Sequence, residues 1–433
     1  MMRTSGMRAT VRVGACNNRR MPHLLTSVLL ATAGLGSCGP EGQPPAAPSP
    51  GASPAQPAAT PSPAEAGLLR HAVEITKRER FLKAGEQYFS PDGNWIIFQA
   101  IEVPPAGQRP ETYYQMYVAR LTREGGRVVG IEEPIRLSSP GSSNTCGWFH
   151  PREPGVVMFG STIVPPAMQD VPGYQRGTGR YVWQFHTEMD IHSMSVAGML
   201  TPGAGAPDKP ELIFGRPGYD AEGSWSSDGR FVLYAAYDRA RSEKLSRNHL
   251  DILVYDTKTG KHHALVTADG YNGGPFFSPD DKAICFRSDR AGNNLLQVYV
   301  ATLRYEDGVP VAIDREYAIT ANEHVNWAPF WHPSGKFVVY GSSEFGHQNY
   351  EVVAAPVDFE ALSKGMTPDR IPHHRITFTE GADLLPVFSP DGSLMMWTAQ
   401  RGGLAEGEAR PSSQIWIAEW IGGDRFGSLP PPR

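Results

Sequence analysis

Five polar side chains recur at one offset along this chain. Asn144, Asp220, Asn272, Asn326 and Asp383 each stand five residues before an aromatic that opens a turn, and Ala84 holds the sixth such place. At a repeated position Asn and Asp have two uses. They cap their own tight loop by bonding nearby backbone, or they form a polar ring able to meet a peptide, a cation or ordered water. More charges fall later in the same units: Asp238 beside Arg239, Asp289 beside Arg290, Glu344 with His347, and Arg401. Their ordinary role is a solvated loop tip; the functional one is a charged rim around the same opening.

One unit differs from the rest, because about 30 residues separate Ser161 from a strand beginning near Asp190, and long loops in compact repeats are commonly functional. This insertion ends in Tyr181, Val182, Trp183, Gln184, Phe185, His186, Thr187 and Glu188. Aromatic side chains dominate interface hot spots, so Trp183 and Phe185, with His186 and Glu188 beside them, are candidate anchors for a partner. The same rings could instead plug a channel or cover a sheet edge.

The search for catalytic groups is mostly negative. The sequence has no Gly-x-Ser-x-Gly elbow, no His-Glu-x-x-His, no phosphate loop and no paired Cys ligands. The pairs His262–His263 and His373–His374 are adjacent in sequence, and neighbours on a strand point to opposite faces. No metal or cofactor is expected. An enzyme site would have to draw on His186, His324 or His347 and nearby acids.

The elements that position these residues repeat. Phe89 to Gly93 (Phe-Ser-Pro-Asp-Gly) returns, more or less intact, as Phe149 to Glu153, Trp225 to Gly229, Phe277 to Asp281, Trp331 to Gly335 and Phe388 to Gly392. Pro presets φ, Asp bonds its own backbone and Gly tolerates positive φ, so each copy is a tight turn. A short apolar run follows every one, as in Trp95 to Phe98 or Phe337 to Tyr340, and makes a hairpin with the run before it. Successive copies lie 60, 76, 52, 54 and 57 residues apart, which suits one small antiparallel sheet per repeat. Third strands are expected at Gln115–Val118, Asp190–Val196, Asp251–Tyr255, Gln297–Val300, Tyr350–Val353 and Gln414–Ala418. Fourth strands are expected at Ile135–Leu137, Leu212–Phe214, Ala264–Val266, Tyr317–Thr320 and Arg375–Phe378. The last repeat lacks a fourth strand, and Val73 to Thr76 precede the first turn, so the N-terminal strand is expected to complete the last sheet.

The fold class is therefore all-β: a six-bladed β-propeller of four-stranded antiparallel blades, each sheet covering its neighbour. Its aromatic-Ser-Pro-Asp-Gly turns with a following Ile/Val/Phe strand resemble the TolB-type (PD40, WD40-like) propeller repeats. Phe89 to Gly93 and Phe388 to Gly392 match in full, whereas Phe149 to Glu153 keeps little beyond its aromatic and Pro151. The resemblance implies a docking role among envelope proteins. It also implies a separate N-terminal domain, and this chain has a Pro/Ala-rich stretch in its place. Some propellers with such repeats resemble oligogalacturonate lyases, and others the propeller half of prolyl-oligopeptidase-type enzymes.

Arg3, Arg8, Arg12, Arg19 and Arg20 precede an apolar run from Leu24 to Leu35. The run is shorter than the roughly 20 residues a spanning helix needs and reads as an export signal. Leu35, Gly36, Ser37 and Cys38 resemble a bacterial lipobox, which implies lipidation of Cys38 and, with Gly39 following, a preference for the outer membrane. The expected domains are a lipoprotein signal at 1–38, a disordered Pro/Ala/Ser-rich linker at 39–68, the propeller at 69–425 and a Pro-rich tail at 426–433. Cys146 and Cys285 fall two repeats apart and are expected as small buried residues without a disulfide. A net charge of −5 with scattered Lys and Arg supplies no basic field for nucleic acid.

The expected function is a non-catalytic, monomeric envelope lipoprotein, held to the membrane through Cys38, whose propeller face binds an envelope protein or peptide. The alternatives are an envelope enzyme of the oligosaccharide lyase or hydrolase type with its site at the channel mouth, and an accessory propeller for a separate peptidase.

Overall fold

The computed structural model describes residues 62–167, 173–175, 180–182, 185–198, 209–405 and 408–428, all within the compact unit Pro54–Arg433. Its local order begins at the turns. After Phe89, the Ser90 hydroxyl accepts from Trp95 N at 2.9 Å, Gly93 N donates to Ser90 O at 2.9 Å, and Asp92 accepts from Asn94 N at 3.0 Å. The serine bond returns at Ser226 (2.9 Å from Phe231 N), Ser278 (3.0 Å from Ala283 N) and Ser389 (2.9 Å from Leu394 N). Two degraded copies substitute a histidine. His150 Nδ1 accepts from Glu153 N at 2.9 Å, and His332 Nδ1 accepts from Ser334 N at 3.1 Å. Burial pushes the His332 imidazole down to about 4, which keeps it neutral and therefore able to accept.

These turns join the two inner strands of six antiparallel blades, each four strands wide, the first with an added strand on its extended third strand. The innermost strands are Phe81–Phe89, Asn144–Phe149, Asp220–Trp225, Asn272–Phe277, Asn326–Trp331 and Asp383–Phe388. The second strands are Trp95–Glu102, Val156–Ser161, Phe231–Tyr237, Ala283–Ser288, Phe337–Ser342 and Leu394–Ala399. Neighbouring blades cover both faces of these second strands; every residue of Ala283–Ser288 and of Phe337–Ser342 is buried. That accounts for their nearly continuous apolar sequence where a one-sided strand would alternate.

The ring closes as the missing fourth strand requires. Leu69–Glu74 lies antiparallel to Gln414–Trp420, with Val73 opposite Ile417 and Glu74 opposite Trp416. Beyond it Ile75 N donates to Ile415 O at 2.9 Å and Ile415 N to Thr76 Oγ1 at 2.8 Å. The closure removes an open sheet edge.

Three features differ from the sequence expectation. In the first blade the third strand continues to Glu124 and pairs with Arg127–Ile131 before Ile135–Arg136, because Gly125 and Gly126 supply a positive-φ hairpin turn. The linker expected through residue 68 is ordered at its end. Pro63–Ala66 forms a helical turn in which Ser62 accepts from Glu65 N, and the fully buried Glu65 meets Arg401. At the other end Phe426, placed in the tail by sequence, packs against Phe337 at 6.1 Å and His374 at 4.8 Å. Cys146 and Cys285 are buried free thiols.

Candidate functional site

All six innermost strands break register at the same place. Pairing with the second strand slips between Gly85 and Tyr88, Thr145 and Trp148, Ala221 and Ser224, Gly273 and Phe276, Trp327 and Phe330, and Leu384 and Val387. Inside each slip one residue is left-handed: Glu86 (φ 51°), Cys146 (50°), Glu222 (59°), Gly274 (57°), Ala328 (53°) and Leu385 (54°). The following residue is Gly or Pro in five of six copies: Gly147, Gly223, Pro275, Pro329 and Pro386. Pro cannot donate to the ladder and Gly weakens it, so the sequence marks a bulge. One cavity, with room for about 20 Å³, is lined by the left-handed residues of all six blades and therefore lies on the axis.

Two positions further along, aromatic rings fill that axis. Tyr88 and Phe276, from opposite blades, have centroids 5.8 Å apart, and Trp148 and Phe330, from another opposite pair, 6.2 Å. Tyr88–Trp148 (4.6 Å), Trp148–Phe276 (5.4 Å) and Phe276–Phe330 (5.3 Å) complete the floor. Contacts between opposite blades leave no open bore at this depth.

Toward the mouth, where the innermost strands begin, lies a buried polar cluster. Glu222 accepts from Tyr271 Oη at 2.6 Å, from Gly274 N at 2.5 Å and from Arg287 Nη2 at 3.0 Å, and Arg287 Nη2 also donates to Tyr271 Oη at 2.7 Å. A Cβ on Gly274 would collide with Arg287 Nη1, so glycine lets the guanidinium lie against the strand. Across the channel Glu86 accepts from Cys146 Sγ at 2.9 Å and Thr145 Oγ1 at 3.3 Å. Burial raises the Glu86 carboxyl above its ordinary range, and Glu222 adds to that against the pull of Cys146 and Arg287. Burial and the Glu86 charge push the Cys146 thiol up. Burial works against the Arg287 charge, but Tyr271 and Glu222 outweigh it and hold the guanidinium above its ordinary value. Two carboxyls face one cation, and among the described residues Glu222 is the one hydrogen-bonded to it while Glu86 is not.

No family model matches the chain. In sequence, it is 29% identical over 80 residues to the Tol-Pal system protein TolB of Francisella tularensis, an alignment covering 18% of this chain and 17% of that protein. The chain is similar to TolB propellers. A putative TolB from Agrobacterium tumefaciens aligns in three dimensions with a TM-score of 0.44 and 18% identity, over 78% of this chain and 90% of that one. An oligogalacturonate lyase in complex with manganese aligns at 0.41 with 14% identity, over 79% and 89%. The spatial likeness concerns the fold.

In this TolB-like propeller the repeated Asn and Asp residues occupy the first position of five innermost strands, all buried. Asn144, Asn272 and Asn326 form one kind of staple. Each accepts through Oδ1 from a serine of the second strand, Ser161 (2.7 Å), Ser288 (2.7 Å) or Ser342 (2.8 Å). Each donates through Nδ2 toward the preceding loop or blade: Tyr114 O at 2.9 Å, Leu250 O at 2.8 Å and Asn322 Oδ1 at 2.8 Å respectively. Asp220 is bound by Arg216, and Asp383 by Arg401 and Trp397 Nε1. These hydrogen-bonding groups are spent inside the chain. The residues that reach the channel stand two positions later, and the Gly/Pro run beside them was the available sequence signal.

The structure scatters the remaining candidates. Phe185 stacks on Tyr237 at 4.7 Å and His186 meets Tyr113 edge-on at 5.1 Å, both buried at the base of the insertion. Burial lowers the His186 imidazole. Glu188 accepts from Ala167 N at 3.1 Å, which lowers its carboxyl. Asp238 caps the helix Arg239–Leu245. Arg290 pairs with Glu316 and lies over Tyr299, Glu344 is exposed, and Arg401 is buried between Glu65 and Asp383. Trp183 and Cys38 lie outside the described residues. Among the described residues no group of three or more His, Cys, Asp or Glu side chains is arranged to hold a metal.

Proposed function

We propose that the chain is a non-catalytic, monomeric binding scaffold of the cell envelope that receives an envelope protein or peptide at the channel mouth. One observation carries this reading. Exposed apolar side chains stand on mouth-side loops of four different blades, Val103, Val164, Phe345 and Leu404, around a channel floored by aromatic rings. Scattered single apolar residues are ordinary, but four on the loops of one face offer apolar surface that a partner can bury. The Tol-Pal system in the relative's name supports placing the partner in the envelope, and lipid on Cys38 would hold the scaffold there, at the outer membrane. A cavity of about 20 Å³ admits little more than one water-sized group, which counts against a saccharide-processing site inside the channel.

The test is site-directed photocrosslinking in a bacterial envelope. A benzoylphenylalanine at position 404 or 345 is expected to capture a discrete envelope protein, and one at Val129, on the hairpin at the turn side, is not. Equal capture from both sides, or capture only from position 129, would refute docking at the mouth.

A further inference from the structure

Among the described residues, one cation breaks a rule that the others keep. The buried and half-buried Lys and Arg side chains pair with a carboxylate, from Arg78 with Glu408 to Arg401 with Asp383. Lys83 is half-buried and has neither a carboxylate nor a hydrogen bond; its Nζ lies over the Tyr114 ring, 4.5 Å from the centroid. Burial lowers this ammonium from its ordinary value, and no neighbouring carboxylate opposes the shift.

Lys83 stands at the mouth end of the innermost strand Phe81–Phe89, one residue before Ala84. At the equivalent place in the fourth blade Tyr271 reaches the channel cluster, bonding Glu222 and Arg287. The other equivalents, Ser143, Tyr219, Val325 and Ala382, are also uncharged. Tyr114 faces the same channel, since burial first and the Glu86 charge second raise its hydroxyl above its ordinary value. Two bonds fix the pair: Ala84 N donates to Ser413 O and Asn144 Nδ2 to Tyr114 O, both at 2.9 Å.

A ring face attracts an ammonium from one side and leaves N–H donors on the other. A second cation would be repelled there, and an uncharged group would leave the half-buried charge without a counter-ion. We propose that Lys83 receives a carboxylate of the docked partner, from an Asp or Glu side chain or a chain terminus, at the mouth of the channel. Deeper in the channel Glu86 and Glu222 oppose an anion, so the carboxylate stops at the level of Lys83. This inference rests on docking at the mouth and names the partner's chemistry there, yet that chemistry is testable without the partner.

Saturation-transfer NMR on the full chain, at low ionic strength where exposed charges are least screened, compares three probes. N-acetylglycine carries a chain-terminal carboxylate, N-acetylaspartic α-amide a side-chain carboxylate, and N-acetylasparagine amide is their uncharged control. At least threefold more transfer is expected to a carboxylate probe than to the control, and the stronger of the two carboxylates identifies the source. Lys83→Met is expected to reduce carboxylate transfer at least threefold, whereas Lys83→Arg keeps the charge and should keep at least half of it. No preference for the carboxylates, undiminished transfer in Lys83→Met, or a loss in Lys83→Arg as large as in Lys83→Met would each overturn the proposal. Carboxylate binding at Lys83 without crosslinking at the mouth would refute the docking reading alone, and crosslinking without carboxylate binding would refute this inference alone.

Discussion

Arg401 and Arg287 are both buried guanidiniums set against carboxyl groups, yet one is saturated and the other is not. Arg401 donates Nε to Asp383 at 2.9 Å, Nη1 to Glu65 at 2.6 Å, and Nη2 to Glu65 at 3.0 Å and Asp383 at 2.5 Å. Phe378 N and Trp397 Nε1 complete those carboxylates. This cluster pins the N-terminal turn of helix to the last blade, next to the strand that closes the ring. Arg287 leaves Nε without a partner beside a carboxyl held by weak donors. The difference separates two uses of one chemistry. A network with every donor matched belongs to the fold, and one with a donor left over beside a cavity of about 20 Å³ has room for one water-sized group.

The comparison can be broken first at Arg401. Arg401→Met strands two buried carboxylates, and urea unfolding is expected to show a loss of about 3–5 kcal/mol. A loss below about 1 kcal/mol would put Arg401 in the class of surface pairs and erase the contrast. Coupling sharpens the same point. The loss in Glu65→Gln combined with Arg401→Met should differ from the sum of the single losses by about 0.5–3 kcal/mol, and strict additivity would mean the two do not act together.

The closure cluster also carries a pH signature. Glu351, fully buried at the start of the strand Glu351–Pro356, accepts from Arg375 Nη2 and Thr377 Oγ1 at 2.5 Å each, and burial with the Asp383 charge pushes it up to about 8. An unfolded glutamate titrates near about 4.3, so between those values the folded chain binds the extra proton. The stability Glu351 contributes is complete below the lower value and is lost as pH rises through the upper one. Unfolding free energy should fall between about pH 5 and 8, and Glu351→Gln should flatten that slope; an unchanged slope would remove Glu351 as its source. The smallest effect belongs to the channel. In Glu86→Gly, relief of a left-handed non-glycine residue, about 1–2 kcal/mol, offsets the entropy of glycine, about 0.5–1 kcal/mol. Stability should stay within about 1 kcal/mol of the native chain. A loss above about 2 kcal/mol would make Glu86 structural and the two clusters alike.

The blade count was legible because the turn works locally: Ser90, Pro91, Asp92 and Gly93 make their bonds within a few residues, so the motif reads the same wherever it occurs. The closing strand was legible from a missing partner, since a blade without Val73 to Thr76 would expose its edge. The Asn and Asp offset was legible too, but its use was not. A staple such as Asn144 depends on Ser161 and on Tyr114 of the neighbouring blade, and neither partner is marked by spacing. The bulge left a trace in the Gly and Pro residues before the floor positions. The residues it turns inward, from Glu86 to Leu385, share no type and so form no pattern along the chain.

Sequence by itself thus determined the repeat, the turns, the apolar inner strands and the need for an N-terminal strand, because each follows from interactions between near neighbours in the chain or from the arithmetic of sheet edges. Only the tertiary structure decided that Glu86, Cys146, Glu222 and Arg287 meet on one axis and that Glu65 reaches Arg401. Glu86–Cys146 and Glu222–Arg287 each join neighbouring blades, the four residues together draw on four blades, and Glu65–Arg401 needs the ring closed. Their geometry exists only once separate sheets are arranged around a common centre.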